Sequence, residues 1–359
     1  MQKGPMQKGR GAVGNGLSGR FGLPARETDG DWLDRAGDEG ELAPLKTQVT
    51  VERPRSVLTM NDSPDIPFDR SLNAYRGCEH GCVYCFARPT HAYHDLSPGL
   101  DFETKLFVKP DAAHLLRAAF QKPSYQPEVL AMGTNTDPYQ PIERQWRVTR
   151  QVLELCRAVR HPVAVTTKSD RILDDLTLLA DMAADGLAMV MISLTTLDGR
   201  LARAMEPRAA APHRRLAAVK ALADAGVPVT VSISPLIPAL NDHELEAIVA
   251  AAAAAGARSV VSIPIRLPHE VAPLFAEWLQ VHRPDRAERV LSAIRDMRGG
   301  KLNDARFFAR YRPQGEWGRL VVQRLNRARR AHGMVRRDWV MRTDLFRRPA
   351  VAGQGELFG

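Results

Sequence analysis

Apolar residues in the middle of the chain follow two rhythms that take turns. Short apolar runs occur at Val129–Met132, Val163–Thr167, Leu187–Ser193, Val229–Ile233 and Ser259–Ile263. Between them lie stretches with apolar residues at helical spacing, near Arg147–Arg160, Ile172–Ala184, His213–Ala225 and Asp242–Ala255. Upstream, Ser71–Tyr75 and Lys105–Val108 are short strand candidates, and Asp111–Phe120 reads as an amphipathic helix with an acidic start. Apolar strands of this length between helices are what a parallel sheet covered on its outer face requires. Six strand–helix units fall short of the eight that close a barrel. The pattern therefore predicts an incomplete (β/α)6 TIM-type barrel over residues 61–266.

The flanks read differently. Residues 1–60 predict a largely disordered N-terminal extension: a repeated Met-Gln-Lys-Gly segment in glycine-rich surroundings, then an acidic patch from Glu27 to Glu41. Within it, alternation at Val49, Val51, Val57 and Leu58 predicts an extra strand packed on the core. Residues 267–359 predict a helical, arginine-rich extension, with helices at Val271–Val281, Arg286–Met297 and Leu320–Ala331 covering the open side or bottom of the barrel. Arg324, Arg327, Arg329, Arg330, Arg336 and Arg337 make a basic run there, either a solvated helix face or a phosphate-binding surface.

Composition changes this picture only modestly. Across 359 residues, 44% hydrophobic and 25% charged content are ordinary for a soluble globular protein. The alanine-rich run 247–256 is about half the ~20 residues a membrane-spanning helix needs, so no membrane partner is expected. A net charge of +9 favours anionic partners, nucleic acid among them, without establishing one. Few cysteines and no export signal point to a reducing cytoplasm.

The chemistry concentrates in one loop. Cys78, Cys82 and Cys85, three of the four cysteines, are spaced C-x3-C-x2-C, with Gly77 and Gly81 supplying sharp turns between them. A thiolate trio suits an iron–sulfur cluster or zinc far better than a hard cation. The zinc alternative needs a fourth ligand, which His80, His91 or His94 could supply; His91 and His94 read better as surface or supporting groups. Cys156 sits at helical spacing among apolar residues and reads as a buried core thiol. Ligands of such folds bind at the carboxyl ends of the strands. That rule selects Gly133–Tyr139, with Thr134 and Asn135, then Lys168, Ser193 and the segment Ser232–Pro238.

With Tyr84 preceding the third cysteine, the motif resembles the C-x3-C-x-aromatic-C of the radical S-adenosylmethionine (SAM) superfamily. The run Ser71–His94, together with Thr166–Lys168, Ser193, Met205–Pro207 and Ser234–Ile237, is similar to its DNA repair photolyase-like branch, related to spore photoproduct lyase. The resemblance covers about residues 65–265 and agrees with the expected fold. It implies a [4Fe–4S] cluster on Cys78, Cys82 and Cys85, with SAM on the fourth iron. The implied reaction is one-electron cleavage of SAM to a 5′-deoxyadenosyl radical that abstracts hydrogen from a substrate. It also implies an electron donor such as flavodoxin or ferredoxin. By the same similarity, Lys168 neutralises the SAM carboxylate and Ser193 bonds its ribose or methionine part. The resemblance likewise implies that Glu206 and Arg208 shape the site wall and Tyr84 packs near the adenine, while Thr134 and Asn135 join the expected cofactor contacts by their place after a strand end. One departure stands out: spore photoproduct lyases carry a hydrogen-donating cysteine after the second core strand, and Met132–Asp137 has none. Pyrimidine-dimer repair is therefore an alternative rather than the expectation, and a non-catalytic zinc protein that binds nucleic acid is another.

Overall fold

The computed structural model describes residues 9–16, 18–20, 45–334 and 340–350. In chain order the strands are β1 (Gln48–Val51), β2 (Leu58–Met60), β3 (Arg70–Leu72), β4 (Tyr75–Arg76), β5 (Lys105–Val108), β6 (Leu130–Met132), β7 (Val163–Thr167), β8 (Ala188–Ser193), β9 (Val229–Leu236) and β10 (Ser259–Pro264). The main sheet runs β10-β9-β8-β7-β6-β3-β2. Its first six members are parallel, and β2 is an antiparallel edge beside β3. Helices α1 (Ala112–Gln121), α2 (Val148–Ala158), α3 (Leu176–Ala184), α4 (Pro212–Asp224) and α5 (Leu245–Ala254) connect successive parallel strands. This is the incomplete barrel that the apolar rhythm predicts, with β10 and β2 as unclosed edges. Val163, Val165, Val190, Ile192, Val231 and Ile233 are fully buried and share one apolar core with helix residues such as Leu153, Leu179 and Leu222.

A second, three-stranded sheet, β1-β5-β4, stands where sequence suggested a single continuous strand into the cysteine loop. Ser71–Tyr75 instead divides: β3 joins the main sheet, and the chain turns at Asn73 and Ala74 before β4 pairs with β5. The alternating N-terminal segment supplies β1 and β2, one to each sheet.

The N-terminal expectation needs correction at residues 9–16, which are held against the barrel rather than free. The Arg10 guanidinium bonds the carbonyls of Glu103 and Leu45, and the Gly11 and Ala12 amides bond the Glu103 carboxylate. Glycine allows the contact, because a Cβ on Gly11 would sit 1.7 Å from the Gly81 carbonyl oxygen. Most of the remaining expected disorder falls on residues outside those described.

Beyond β10 the chain is helical, as expected: α6 (Val271–His282), α7 (Ala287–Met297) and α8 (Gly315–Ala331). Helices α6 and α7 form one apolar cluster with Val83, Ile237, Ile265 and Leu267. Helix α8 packs on α5, with Trp317 Nε1 donating to Asp242 and Arg324 clasping Glu246. Arg324 is thus tied into the fold rather than presented to phosphate, and Arg336 and Arg337 lie outside the described residues. Residues 340–350 return along the amino ends of the strands. There Arg342 and Arg347 amides bond Gly186 and Val159 carbonyls, and Phe346 packs on Phe120, Tyr125 and His161. Among the described residues no helix is long and apolar enough to cross a membrane.

Candidate active site

The cysteine loop leaves β4 and is turned by Gly77 and Gly81, at φ +73° and +66°. Both values favour glycine, and a side chain on Gly77 would also strike Leu106, His91 and the Phe102 carbonyl. The Cys78 amide bonds the Phe102 carbonyl (3.0 Å), and the Val83 amide bonds Met205 (3.0 Å). Cys78 and Cys82 are buried and Cys85 is partly exposed; none forms a disulfide. Burial pushes the Cys82 thiol up to about 12, with the Lys168 charge pulling the other way, and pushes Cys78 well above its ordinary value.

Arg88, fully buried, holds the loop from below. It donates to the carbonyls of Cys82, Gly81, Pro98 and Gly99 and to the Glu103 carboxylate at 2.5 Å. Every branch of the guanidinium is therefore matched, which a buried cation needs. Glu103 is satisfied in turn by the Gly11 and Ala12 amides, so the N-terminal segment, Arg88 and the cysteine loop form one unit.

The turn after β6 supports the loop from the side. Asn73 accepts from the Asn135 and Thr136 amides and bonds the Thr134 hydroxyl. Thr136 and Gln140 bond the Gly77 carbonyl, and Gln140 also accepts from the Glu79 amide. Asp137 accepts from the Thr167 hydroxyl (2.6 Å) and the Lys168 amide (2.8 Å), with His80 Nδ1 at 3.3 Å. Burial works against ionisation of Asp137, but His80, Thr167 and the Lys168 amide outweigh it and hold the carboxyl at about 2.

At the floor of the mouth, Glu206 is a buried junction. The Tyr84 phenol and Thr195 hydroxyl donate to Oε1, and Arg215 donates to Oε2. Arg215 also bonds the Ser193 and Ala210 carbonyls. Lys168 Nζ stands 5.9 Å from the Tyr84 ring centre. Burial lowers the Lys168 ammonium, yet Cys82 and Glu206 together keep it above its ordinary value.

Most of the sequence-selected residues thus converge. Tyr84, Lys168, Glu206 and Cys82 share one buried neighbourhood, and Ser193 joins it through Arg215. Thr134 and Asn135 are fixed by Asn73, on the opposite side of the loop. Arg208 pairs with Glu79 (3.2 Å) and its amide bonds the His80 carbonyl. The Glu206 oxygens are taken up by three side chains. His91 is buried rather than at the surface: Nε2 faces the Lys105 carbonyl at 2.9 Å and burial lowers it to about 4. Asn73, Arg88, Glu103, Gln140 and Arg215 escaped sequence reasoning, since each acts on a partner whose proximity only the fold creates. Cys156 is fully buried in α2, as its spacing predicts.

Four ligands on zinc sit about 3.8 Å apart, from Zn–S bonds near 2.3 Å. Among the described residues, no three Cys, His, Asp or Glu side chains converge on an ion-sized point. Of the imidazoles nearest in sequence, His80 Nδ1 lies 3.3 Å from Asp137, His91 Nε2 faces the Lys105 carbonyl while its Nδ1 has no hydrogen-bond partner, and His94 lies against the Phe107 ring at 4.7 Å.

A family model described as the radical SAM superfamily matches residues 72–252, just over half of the chain. An uncharacterized protein of Mycobacterium tuberculosis is 37% identical over 252 residues, covering 69% of this chain and 74% of that one. An uncharacterized protein of Methanocaldococcus jannaschii is 28% identical over 173 residues, covering 48% and 62%. Among solved structures, spore photoproduct lyase complexed with dinucleoside spore photoproduct superposes with a TM-score of 0.58 at 15% identity, over 80% of each chain. A mutant of that lyase gives 0.59 at 14% identity, over 85% of this chain and 91% of that one. At such identity the likeness speaks for a shared fold.

Proposed function

Because this chain belongs to the radical SAM superfamily, we propose that Cys78, Cys82 and Cys85 hold a [4Fe–4S] cluster with SAM bound at its open corner. The observation that carries this reading is a glycine-turned loop whose three thiols share no disulfide and whose Cys82 lies within reach of the Lys168 charge. When bound, the cluster and SAM supply one-electron cleavage of a sulfonium C–S bond, the source of a hydrogen-abstracting 5′-deoxyadenosyl radical. The protein supplies position, charge and exclusion of water.

Lys168 is the cation for the SAM carboxylate, held at the mouth by the Asp137 bond to its own amide. Tyr84 orients the loop through its phenol, and Glu206 with Arg215 fixes that phenol in place. Ser193 offers its hydroxyl to the nucleoside while its carbonyl is occupied by Arg215. Thr134 and Asn135 line the other side of the mouth, and Arg208 shields Glu79 beside Cys78. A flavodoxin or ferredoxin delivers the electron on the side of the partly exposed Cys85.

The substrate class favoured is nucleic acid. The net charge of +9 supports it, as does the likeness in fold to a lyase solved with a dinucleoside. Repair of pyrimidine dimers by the route of spore photoproduct lyase is disfavoured, because Met132–Asp137 holds no cysteine and Cys156 is sealed in α2. Anaerobic reconstitution followed by metal analysis and assay for 5′-deoxyadenosine tests the reading. About four irons per chain and release of the nucleoside are expected. Zinc near one per chain with no iron would end it.

A further inference from the structure

The segment 304–312, between α7 and α8, is tied to both sides of the unclosed barrel. Asp65, in the connection between β2 and β3, accepts from the Phe308 amide and from Arg310 Nε, each at 2.8 Å. On the β10 side, Arg298 donates to the carbonyls of Ala309 (3.0 Å) and Ile265 (2.9 Å). This strap carries Phe308 at φ +62°, a value uncommon for a bulky residue and sustained only where surroundings impose it.

Aromatic rings and guanidinium planes alternate along its outer face. Arg266, just past β10, lies 5.0 Å from the Phe86 ring centre and 4.7 Å from that of Tyr311. Arg310 lies 5.1 Å from both Tyr311 and Phe307. Phe86, Phe307 and Phe308 remain 47%, 54% and 48% exposed. Three large rings kept in water beside one another are not explained by packing, and Phe86 is the residue directly after Cys85.

The charges are unequal as well. Asp65 pairs with Arg310 and Asp304 with Arg306, whereas no carboxylate pairs with Arg266 or Arg298 among the described residues. Arg298 is only 3% exposed, and its Nε has no hydrogen-bond partner. Burial, reinforced by the Arg266 charge, pushes Arg298 down to about 10, and burial likewise lowers Arg266. An anion at this face would relieve both.

We propose that this strap, with Phe86 and Arg266, binds an unpaired nucleic-acid strand. Bases stack on Phe307, Phe308 and Phe86, while Arg266 supplies positive charge for the phosphates and the buried Arg298 adds to it only at longer range. Stacking rings interleaved with guanidinium groups suit bases whose faces are free, and duplex pairing hides those faces. The strand presents one nucleotide on the Cys85 side of the cysteine loop. The proposal rests on the radical SAM reading only for what then happens to that nucleotide.

Fluorescence anisotropy with labelled oligothymidylate, oligouridylate and a duplex, on the anaerobically reconstituted full chain across a salt series, tests it. Single strands should bind about tenfold or more tighter than duplex, and comparison of the two oligomers tells DNA from RNA. Phe307→Ala and Phe308→Ala should each weaken binding by about fivefold to a hundredfold. Phe307→Tyr, which keeps the ring, should restore it. Lys220→Ala, on α4 where the ammonium pairs with Asp224, should change nothing. Absence of binding at low salt, preference for duplex, or alanine variants that bind like the wild type would overturn the proposal. So would variants that bind normally but accept electrons slowly from an acidic flavodoxin, since the face would then be a donor dock. Release of 5′-deoxyadenosine is measured separately. Strand binding without cleavage sinks the radical reading and leaves the surface, and cleavage without strand binding does the reverse.

Discussion

Tyr84 donates its phenolic hydrogen to Glu206, 122 residues further along the chain. The aromatic residue of the cysteine motif is therefore anchored at its far end, and its ring is held under Lys168 rather than left to swing. Glu206 is closed to water and so is its ion-pair partner Arg215. A buried pair of this kind contributes little net stability, but breaking it is costly, because the surviving charge loses its counterion without regaining water.

Glu206→Gln should therefore destabilise the protein by about 3–5 kcal/mol, read as a shift of the urea midpoint. Tyr84→Phe removes one donor and should cost about 1–3 kcal/mol while iron still binds. If Tyr84→Phe proves as damaging as Glu206→Gln, the junction is organised by the phenol and not by the ion pair.

Alanine at Cys78, Cys82 or Cys85 should abolish the visible absorbance of the reconstituted protein and its release of 5′-deoxyadenosine. Cys156→Ala should retain both and lower stability on the order of 1 kcal/mol. Loss of colour on changing Cys156 would mean that α2 contributes a ligand.

Replacing Lys168 by Met keeps the length of the side chain and removes the charge. SAM affinity, measured by titration calorimetry on the reconstituted protein, should fall about tenfold, the value of one charge-assisted hydrogen bond. Unchanged affinity would assign Lys168 to the Tyr84–Glu206 junction alone.

Two carboxylates give the apoprotein opposite responses to pH. Asp137 is held at about 2 against an ordinary 3.8, so its contribution is complete above about 3.8 and disappears as pH falls through 2. Glu143 is the reverse: burial, despite bonds from Tyr75 and the Thr149 and Arg150 amides, raises it from 4.5 to about 7. The fold favours its protonated form, so stability falls as pH climbs from 4.5 to 7. Each effect is on the order of 2–3 kcal/mol. In urea unfolding across pH, Asp137→Asn should flatten the acid rise and Glu143→Gln the later decline; a variant that leaves its limb unchanged refutes that assignment.

Gly11→Ala tests the N-terminal contact. A methyl group there collides with the Gly81 carbonyl, so residues 9–16 should leave Glu103 and become sensitive to protease. Arg88 would then lack part of its buried network, and iron should be lost faster to a chelator. A variant as protected as the parent would show that the segment does not dock in solution.

The barrel was legible because its strands are short apolar runs that alternate with helices, so Val163–Thr167 and Ala188–Ser193 appear within a residue of their predicted bounds. The cysteine loop was legible from spacing alone. The partners of Glu206 were not legible, since nothing in Met205–Pro207 shows that three side chains converge on its oxygens. The docking of Arg10–Ala12 was hidden for a plainer reason. Glycines that permit close backbone approach have the same composition as a flexible tail, and only the Glu103 carboxylate distinguishes the two.

The return of residues 340–350 beneath the strands bears on how the protein is made. Phe346 seals Phe120, Tyr125 and His161, and Arg348 bonds the Phe120 carbonyl, more than two hundred residues back. A nascent chain halted before that point leaves an aromatic hollow wet at the base of its half-built barrel. Truncated products should therefore be caught by chaperones and degraded, even though every cysteine has already emerged from the ribosome.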